Sequence, residues 1–472
     1  MNPGEVGQRT IGIILIVALS GFLMGFDGSL FTGAVKFVTS TFELSEFELG
    51  WVVGSHTLAA TLSIFLAGPM ADRFGRRTVL RIAAVVFGAS AAVAAASSSY
   101  AMLIVARLLS GLGVGAVLVA APMYIAEISP PAFRGRLVTI NQLFIVTGIM
   151  LAFGSNLLIV RLDDVDLGWL TALDLRSSNW RWMLGLGVLP AVIYLFALLF
   201  VPESPRWHAM HGRLDVARSV LARAHGAEFA DAELREVRAS LAHGSRGDAT
   251  LRDLWNPELK SVLVIGLVVG VLQQVVGINV LLSYAPVIFE AAGAGTEDDI
   301  AFLKTVLVGV VNFVATLVAL LLIDRVGRRP LLIWGTLGVA VSLAVAGYGF
   351  HATDGEMNPT LVLTGMLGFV GCFALSLGPG MWVLLSEIFP NRVRALAISC
   401  VGLVNSTVCF GVQLLFPWEM KMLGGGGTFF IYAACALVGV GLLVRLLPET
   451  GGRSLEELEE SLVRHENVGS VR

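Results

Sequence analysis

Apolar stretches of about 20 residues recur along nearly the whole sequence, and they constrain the fold more than any other feature. A helix of roughly that length crosses a hydrocarbon core ~30 Å thick. Hydrophobic residues make up 56% of the 472 residues and charged residues only 14%. The mean hydropathy of +0.80 is too high for an ordinary soluble enzyme of this size. The chain is therefore predicted to be an all-α protein that spans a lipid bilayer.

The breaks between the apolar runs predict twelve transmembrane helices in two sets of six. The first run extends past Gly33, contains Asp27 and has no small-residue cleavage site after a short core, so it is predicted to be a retained helix and not a signal peptide. The predicted spans are residues 11–33, 50–71, 79–98, 101–125, 138–159, 183–201, 260–289, 303–323, 331–350, 360–386, 396–418 and 427–447.

Basic residues fall on alternate connections, as after span 2 (Arg77) and after span 10 (Arg392). The positive-inside rule assigns these connections, and both termini, to the cytoplasmic side. The long polar stretch between the halves is interpreted as a linker, since so short a segment buries too little core for a catalytic domain. The predicted organisation is an N-terminal six-helix bundle at 1–201, a cytoplasmic helical linker at 202–259, a C-terminal six-helix bundle at 260–447 and a cytoplasmic tail at 448–472.

The sequence repeats itself at a nearly constant offset, as from Asp72 to Asp324, which are 252 residues apart. Duplicated halves are typical of transporters, so the two bundles are predicted to be pseudo-symmetric. The matching segments are 71–77 with 323–329, 127–130 with 387–390 and, more loosely, 202–206 with 448–453.

Each repeated segment carries opposite charges where the chain leaves the bilayer on the predicted cytoplasmic side. Asp72 and Asp324 can accept hydrogen bonds from a neighbouring helix N-terminus, while the arginines reach carboxylates. Such pairs can form in one state and part in another, which predicts a charge latch between helices; the alternative is topology alone, since arginine is common after a span. The predicted latch residues are Asp72, Arg73, Arg76, Glu127, Arg134, Glu203, Asp324, Arg325, Arg328, Glu387, Arg394 and Glu449.

Five segments can be compared with a known family. They are Gly68–Arg77, Pro202–Trp207, Gln273–Asn279, Trp382–Pro390 and Pro448–Thr450. Together they closely resemble the signatures of the sugar porter family of the major facilitator superfamily, in that family's order and spacing, over residues from about 21 to 458. What the resemblance implies is two six-helix bundles that rock about a central site and give a monosaccharide alternating access.

Neutral polar side chains lie inside the predicted spans, where an unsatisfied amide costs several kcal/mol. Carboxamides both donate and accept hydrogen bonds, which suits sugar hydroxyls. Gly277 permits the helix to loosen between Gln274 and Asn279, and the segment 378–380 interrupts span 10 before Trp382, whose ring can stack on a pyranose. Each amide alone favours an interhelical hydrogen bond, but the set predicts a sugar site. The family's binding residues match Gln142, Gln273, Gln274, Asn279, Asn312, Trp382 and Asn405.

The identity of the sugar is less constrained. Ile149 is like the hexose facilitators, where some pentose carriers have a second glutamine, and Ser406 stands where many members have tryptophan. A hexose such as glucose is the expected substrate, with pentoses and inositol as alternatives.

A pair of opposite charges lies within the predicted spans. Asp27 is the only acid in span 1, and Arg107 lies inside or at the edge of span 4. Paired with Arg107, Asp27 holds its charge, and if the helices part, desolvation favours the protonated form. Proton-linked members of the family resemble this chain at both positions, whereas animal facilitators typically have asparagine at the first. Proton symport is predicted; the alternative is a permanent ion pair with facilitated diffusion.

Other classes of function are disfavoured. The glycines at 111, 113 and 115 lie within a span, so they predict close helix packing and not a nucleotide loop. His56 can titrate near neutral pH, although a lone membrane histidine more often makes a hydrogen bond. The four cysteines are interpreted as buried small hydrophobes.

The sequence shows no metal-ligand cluster, nucleophile elbow or phosphate loop and no basic block for nucleic acid, so an enzyme, a cofactor and a nucleic-acid partner are not expected. A sugar sensor is disfavoured because only about 25 residues follow span 12. A monomer in the cell membrane is expected, and the lack of a glycosylation sequon outside the spans favours a bacterial inner membrane.

Overall fold

The structure, a computed structural model, describes most of the chain as helix. The described residues are 7–130, 133–163, 175–243, 254, 257–293, 298–351, 357–390 and 393–447, and no strand occurs among them. Helices satisfy all their central backbone hydrogen bonds internally, which is what a chain of such apolar segments requires. Two compact units are formed, one from Met1–Glu43 with Ser55–Asp248 and one from Leu44–Gly54 with Ala249–Arg472.

The N-terminal half of the chain contains long apolar helices followed by short amphipathic ones. The long helices are α1 (Gln8–Phe42), α2 (Glu46–Phe74), α3 (Arg76–Ala95), α4 (Tyr100–Ile128) and α5 (Arg134–Asp163), followed by the shorter α6 (Leu175–Gly185) and α7 (Val188–Ala197). The amphipathic helices are α8 (Pro205–Met210), α9 (Leu214–His225) and α10 (Ala227–His243).

The C-terminal half is built from seven described helices. In two places, a pair of consecutive helices stands where the sequence predicted one span. They are α11 (Pro257–Val275), α12 (Ile278–Ala291), α13 (Asp298–Val326), α14 (Arg328–Phe350), α15 (Pro359–Leu375), α16 (Leu377–Ile388) and α17 (Arg394–Leu446).

Eleven helical segments of the described chain are long and apolar enough to cross a membrane. The last of them, Leu396–Leu446, has 51 residues and covers the final two predicted spans except for residue 447. Its backbone leaves the helical conformation at Gly424, where φ is +68°. Each of the twelve predicted spans therefore overlaps one of these apolar helical segments.

Two predicted spans are interrupted near their middle. Between α11 and α12 the chain passes through Gly277, whose φ of +85° is in the left-handed region that favours glycine. The predicted interruption of span 10 at 378–380 lies instead at Ser376, between α15 and α16. Pro379 falls in the first turn of α16, where a missing N–H group costs no helical hydrogen bond, so the helix starts before it.

Glycines allow two pairs of helices in the first unit to pack closely. A Cβ atom at Gly111 or Gly115 of α4 would collide with the carbonyl oxygen of His56 or Ala60 on α2. A Cβ atom at Gly25 of α1 would likewise collide with the carbonyl oxygen of Ile145 on α5. The predicted small-residue packing of the α4 glycines is thus confirmed, and it fixes which side chains of α2 and α4 meet.

The amphipathic helices α8, α9 and α10 share a small apolar core. It contains Ala209, Ala217, Leu221, Ala230 and Leu234. These helices are joined to the longer ones by hydrogen bonds from Thr10 Oγ1 to the Ala224 carbonyl (3.1 Å) and between His225 Nε2 and the Ile128 carbonyl (2.8 Å). Their position on the cytoplasmic side stays a prediction from the positive-inside rule.

The break at Gly277 gives a test of the fold. A Cβ atom there would lie 2.6 Å from the ring of Tyr432, and the left-handed φ adds strain. We expect Gly277→Ala to lower the free energy of unfolding by about 1–3 kcal/mol. Gly411→Ala is the matched control, because that helical glycine has open space where the Cβ would be. Thermal melting of the purified variants in detergent measures both, and equal melting temperatures would contradict the assigned strain.

Candidate functional site

Four carboxamides of the second unit form one hydrogen-bonded cluster beside the Gly277 break. Gln273 and Gln274 lie at the end of α11, Asn279 in the first turn of α12 and Asn405 on α17. Three of them, Gln273, Gln274 and Asn405, are buried. The left-handed conformation of Gly277 breaks the helix between Gln274 and Asn279, and the two side chains, five positions apart, come together there.

The hydrogen bonds of this amide cluster run through all four members. Asn279 Nδ2 donates to Gln274 Oε1 (2.6 Å), and Gln274 Nε2 donates to Asn405 Oδ1 (3.1 Å). Asn405 Nδ2 donates in turn to Gln273 Oε1 (2.9 Å) and to the Gly270 carbonyl (2.8 Å). Amides that are bonded to one another can exchange these bonds for sugar hydroxyls without being left unpaired.

The start of α16 is tied to this cluster. Gln273 Nε2 donates to the carbonyl oxygens of Leu377 (2.9 Å) and Gly378 (3.3 Å). A carbonyl oxygen has two lone pairs, so it can accept from a side chain in addition to a backbone amide. The two interrupted helices of the second unit thus meet through one glutamine.

The remaining predicted sugar-binding residues lie outside the amide cluster. Asn312 is buried on α13. Trp382 on α16 is 47% exposed. Gln142 is exposed on α5 of the first unit. Sequence reasoning missed Met381, whose sulfur lies 3.7 Å from Asn405 Nδ2, because a methionine in an apolar run carries no signal.

A second polar group lies in the first unit, around Asp27 of α1. The hydroxyl of Ser110 on α4 donates to Asp27 Oδ2. The same hydroxyl oxygen lies 3.0 Å from Nδ1 of His56 on α2. Arg107, one helical turn before Ser110, is close enough to act electrostatically on Asp27, and its guanidinium lies 4.2 Å from the centroid of the Phe31 ring.

The contact of Ser110 with Asp27 is the feature of this group that sequence reasoning missed. Serine in an apolar helix usually bonds to its own backbone, so it does not stand out. A usable signal was present, since Arg107 and Ser110 are three residues apart and therefore share a helix face.

Three predicted latch residues of the first unit, Asp72, Arg76 and Glu127, form a charged cluster at the start of α3. Arg76 donates to Glu127 Oε1 from Nε (3.1 Å) and NH2 (2.9 Å), and to the Ala71 carbonyl from NH1 (3.0 Å). NH2 also lies 2.9 Å from Asp72. Ser204 donates to the other oxygen of Glu127. All three nitrogens of the buried guanidinium are therefore used.

Glu203 occupies the position at a helix N-terminus that was predicted for Asp72. Its Oε1 accepts from the backbone N–H groups of Arg77 (3.0 Å) and Ser204 (2.9 Å). Negative charge at a helix N-terminus is favourable, since the first N–H groups have no helical partner. Gly75, with φ +98°, has no Cβ and so leaves space for this carboxylate.

The second unit repeats this arrangement. Arg328 donates to Glu387 Oε1 from Nε (3.0 Å), and its NH2 lies 2.9 Å from the same oxygen. Arg329 NH2 donates to the Val444 carbonyl (3.0 Å), as Arg77 NH2 does to the Leu199 carbonyl (3.1 Å). The internal repeat read from the sequence therefore extends to individual hydrogen bonds.

The other predicted latch residues have different surroundings. Arg134 NH2 lies 3.8 Å from Glu233 of α10, a carboxyl whose pKa is raised by burial. Arg394 Nε donates to the Phe389 carbonyl (3.0 Å). Arg73 and Arg325 are exposed. Glu449 and the side chain of Asp324 lie outside the described part of the chain. Within the described ranges, no group of three or more His, Cys, Asp or Glu residues could hold a metal ion.

Comparison with known proteins identifies the family. A family model described as "Sugar (and other) transporter" matches residues 13–462. The arabinose-proton symporter of Bacillus subtilis (strain 168) is 35% identical over 469 residues, which is 98% of each chain. The D-xylose-proton symporter of Escherichia coli (strain K12) is 34% identical over 491 residues, with 97% of each chain covered.

Solved structures agree with the sequence relatives. An inward-open conformation of the xylose transporter XylE from E. coli matches with a TM-score of 0.82 at 33% identity, covering 96% of this chain and 99% of that one. XylE, described as a major facilitator superfamily proton:xylose symporter and bound to 6-bromo-6-deoxy-D-glucose, matches with a TM-score of 0.75 at 34% identity, covering 97% and 100%.

These similarities extend over almost the full length of each chain. The all-α major facilitator fold predicted from the sequence is confirmed. The predictions that the chain is a membrane protein, and that it is a transporter and not an enzyme, are confirmed as well. The chain belongs to the sugar transporter family of the major facilitator superfamily.

Proposed function

We propose that this transporter imports a monosaccharide, with a hexose such as glucose as the first candidate, together with a proton by alternating access. The observation that carries the proposal is the cluster of four mutually bonded carboxamides beside the Gly277 break. Two relatives that match over nearly their whole length are named as sugar-proton symporters, which supports both parts of the proposal.

The amide cluster suits a ligand with many hydroxyl groups. Each sugar hydroxyl both donates and accepts, and so does each carboxamide. The exposed ring of Trp382 offers an apolar surface for the C–H face of a pyranose. Gln142 and Asn312 are included among the proposed sugar-binding residues because they match the family's binding residues.

Proton coupling is assigned to Asp27. A carboxylate next to Arg107 and bonded to Ser110 changes its proton affinity when either partner moves away. If Asp27 must be protonated for one conformational change and deprotonated for the other, sugar movement requires proton movement. The rival function is facilitated diffusion, in which Asp27 only fixes helix packing.

Two Arg–Glu pairs, one buried and one partly buried, are proposed to act as the latch of the transport cycle. Arg76 with Glu127 and Arg328 with Glu387 each hold one helix end against another. Ion pairs of this kind have two discrete states, made and parted, which is what a switching element requires. The proposed setting is the cell membrane, a bacterial inner membrane by preference, with a monomer as the working unit.

The first prediction from the proposed function concerns proton coupling. We expect Asp27→Asn to abolish uphill sugar accumulation in proteoliposomes with an imposed proton gradient, while sugar counterflow continues, because exchange needs no net proton release. Glu419→Gln is the control, since that carboxylate lies in α17 of the second unit and accepts a hydrogen bond from the Tyr432 hydroxyl (2.7 Å). Unchanged accumulation in Asp27→Asn would exclude it as the coupling acid. Wild-type protein that equilibrates sugar without alkalinising the medium would indicate a facilitator.

A second prediction concerns the amide cluster. Gln274→Ala removes the proposed bond to the sugar, and it also removes the acceptor of Asn279 Nδ2 and the donor to Asn405 Oδ1. We expect the KM for counterflow to rise at least about tenfold, the equivalent of one hydrogen bond of ~1.4 kcal/mol. Gln413→Ala is the matched control, because Gln413 is a buried amide of the same unit that donates to Ser283 (3.1 Å).

The substrate is identified in the same assay by competition with unlabelled D-glucose, D-galactose, D-xylose, L-arabinose and myo-inositol. Equal KM values for Gln274→Ala and Gln413→Ala would argue against the amide cluster as the sugar site.

The third prediction tests the latch. Arg76→Lys keeps the charge but cannot reproduce the planar set of bonds to Glu127, Asp72 and Ala71. We expect a loss of about 1–3 kcal/mol in stability and slower net transport. Arg218→Lys is the control, because its pair with Asp231 is about half exposed on both sides (50% and 49%), against 3% and 7% for Arg76 and Glu127. Melting curves and initial rates of uptake measure the two effects, and equal losses in both variants would contradict the proposed role.

A further inference from the structure

His56 of α2 is joined to Asp27 through one hydroxyl group. Ser110 Oγ contacts both Asp27 Oδ2 and, at 3.0 Å, His56 Nδ1. Ser110 is buried, whereas His56 and Asp27 are partly accessible. We propose that His56 and Ser110 form a proton relay to Asp27, with His56 as the group that takes up the proton from the outer side. The proposal rests on proton symport through Asp27, as proposed above.

The direction of the hydrogen bonds follows from the proton count. A serine hydroxyl has one proton, and Ser110 donates it to the carboxylate of Asp27. The 3.0 Å contact with His56 is then made by an Nδ1–H group that donates to the Ser110 oxygen. The three groups form a continuous chain from imidazole through hydroxyl to carboxylate.

A proton can move along this chain with all bonds accounted for. A proton from water protonates the imidazole at Nε2. The Nδ1–H bond of the imidazolium then breaks as a new O–H bond forms on Ser110, and the former O–H proton of Ser110 passes to Asp27 Oδ2. The products are neutral His56, an intact Ser110 hydroxyl and protonated Asp27. Once Asp27 has released its proton to the other side of the membrane, rotation of the hydroxyl and exchange of the imidazole proton between Nε2 and Nδ1 through water restore the starting arrangement.

The charges around His56 favour transfer of a proton to Asp27 over its retention on the imidazole. Arg107 acts electrostatically on both His56 and Asp27, and it repels a positive charge on the imidazole. Asn141 and Asn156, two polar residues that α5 presents to α1, are uncharged. His56 is therefore suited to accept a proton briefly and to hand it on to the carboxylate.

The position of His56 along its helix gives the relay a direction. It lies ten residues from the start of α2 at Glu46, whereas Asp27 lies fifteen residues from the end of α1 at Phe42. Both helix ends are on the outer side by the positive-inside rule. At ~1.5 Å per residue, His56 is about 15 Å from its outer helix end and Asp27 about 22 Å from its own. The imidazole is thus the outer of the two titratable groups.

The packing of α2 on α4 holds the relay together. Gly111, next to Ser110, lies against the backbone carbonyl of His56 itself, with no room for a Cβ atom. Gly115 makes the same close approach one turn further on, to Ala60. The histidine and the serine are therefore brought into contact by the two glycines that also fix the distance between the helices.

The test compares net proton-coupled uptake with counterflow in proteoliposomes, with the sugar that the wild type exchanges best among D-glucose, D-xylose and L-arabinose as the probe. His56→Asn keeps an N–H donor near the Nδ1 position but cannot take up a proton, and Ser110→Ala breaks the chain. We expect net uptake and sugar-dependent alkalinisation to fall at least about tenfold in both variants, the low end of what one positioned proton-transfer group contributes, with counterflow nearly unchanged. Loss of the solvent deuterium isotope effect on net uptake is expected as well.

Two controls separate a relay from a structural role. Ser90→Ala removes a buried hydroxyl that donates to the Ala106 carbonyl (3.0 Å) beside Arg107 without touching Asp27, and it should leave net uptake unchanged. Ser110→Thr keeps the hydroxyl and should retain coupling above Ser110→Ala.

Wild-type net uptake in His56→Asn, or equal effects of Ser110→Ala and Ser90→Ala, would overturn the relay. If His56→Asn loses counterflow as well, the comparison of Ser110→Ala with Ser90→Ala tests the relay by itself. Failure of symport itself is seen separately, as a wild-type protein that exchanges sugar without moving protons.

Discussion

A polar group in an apolar medium has to find its hydrogen-bond partner inside the protein, and this constraint governs the whole molecule. It selects helices for the backbone. It also explains why the carboxamides of Gln273, Gln274, Asn279 and Asn405 bond to one another and why the guanidinium of Arg76 uses all three nitrogens. The groups that this constraint collects in one place are the ones that the proposed transport uses.

Because of the internal repeat, the same arrangement of an arginine paired with a glutamate occurs in both units. Arg76 meets Glu127 and Arg328 meets Glu387 with nearly equal distances, and a glycine with positive φ precedes each arginine. A glycine at these positions permits the sharp turn between two helices. Because both units hold an arginine–glutamate pair at a helix end, a latch made of such pairs can act in either unit during the cycle.

Two glycines affect the proposed sites because they set how closely segments of the backbone approach each other. The close approach of α4 to α2 at Gly111 sets His56 against Ser110, and the left-handed turn at Gly277 sets Asn279 against Gln274. In both cases a residue without a side chain decides which side chains meet. Substitution of these glycines therefore alters the proposed sites without removing any polar group.

The sequence by itself determined the fold class, the twelve apolar segments, the repeat and the residue types of the sites, because hydropathy, charge and motif spacing are local properties of the chain. It did not determine that the helix break in span 10 lies at Ser376, that Glu203 and not Asp72 lies at the N-terminus of α3, or that Ser110 connects His56 with Asp27. Only the tertiary structure decided these points, since they depend on how helices far apart in sequence rotate and pack against one another.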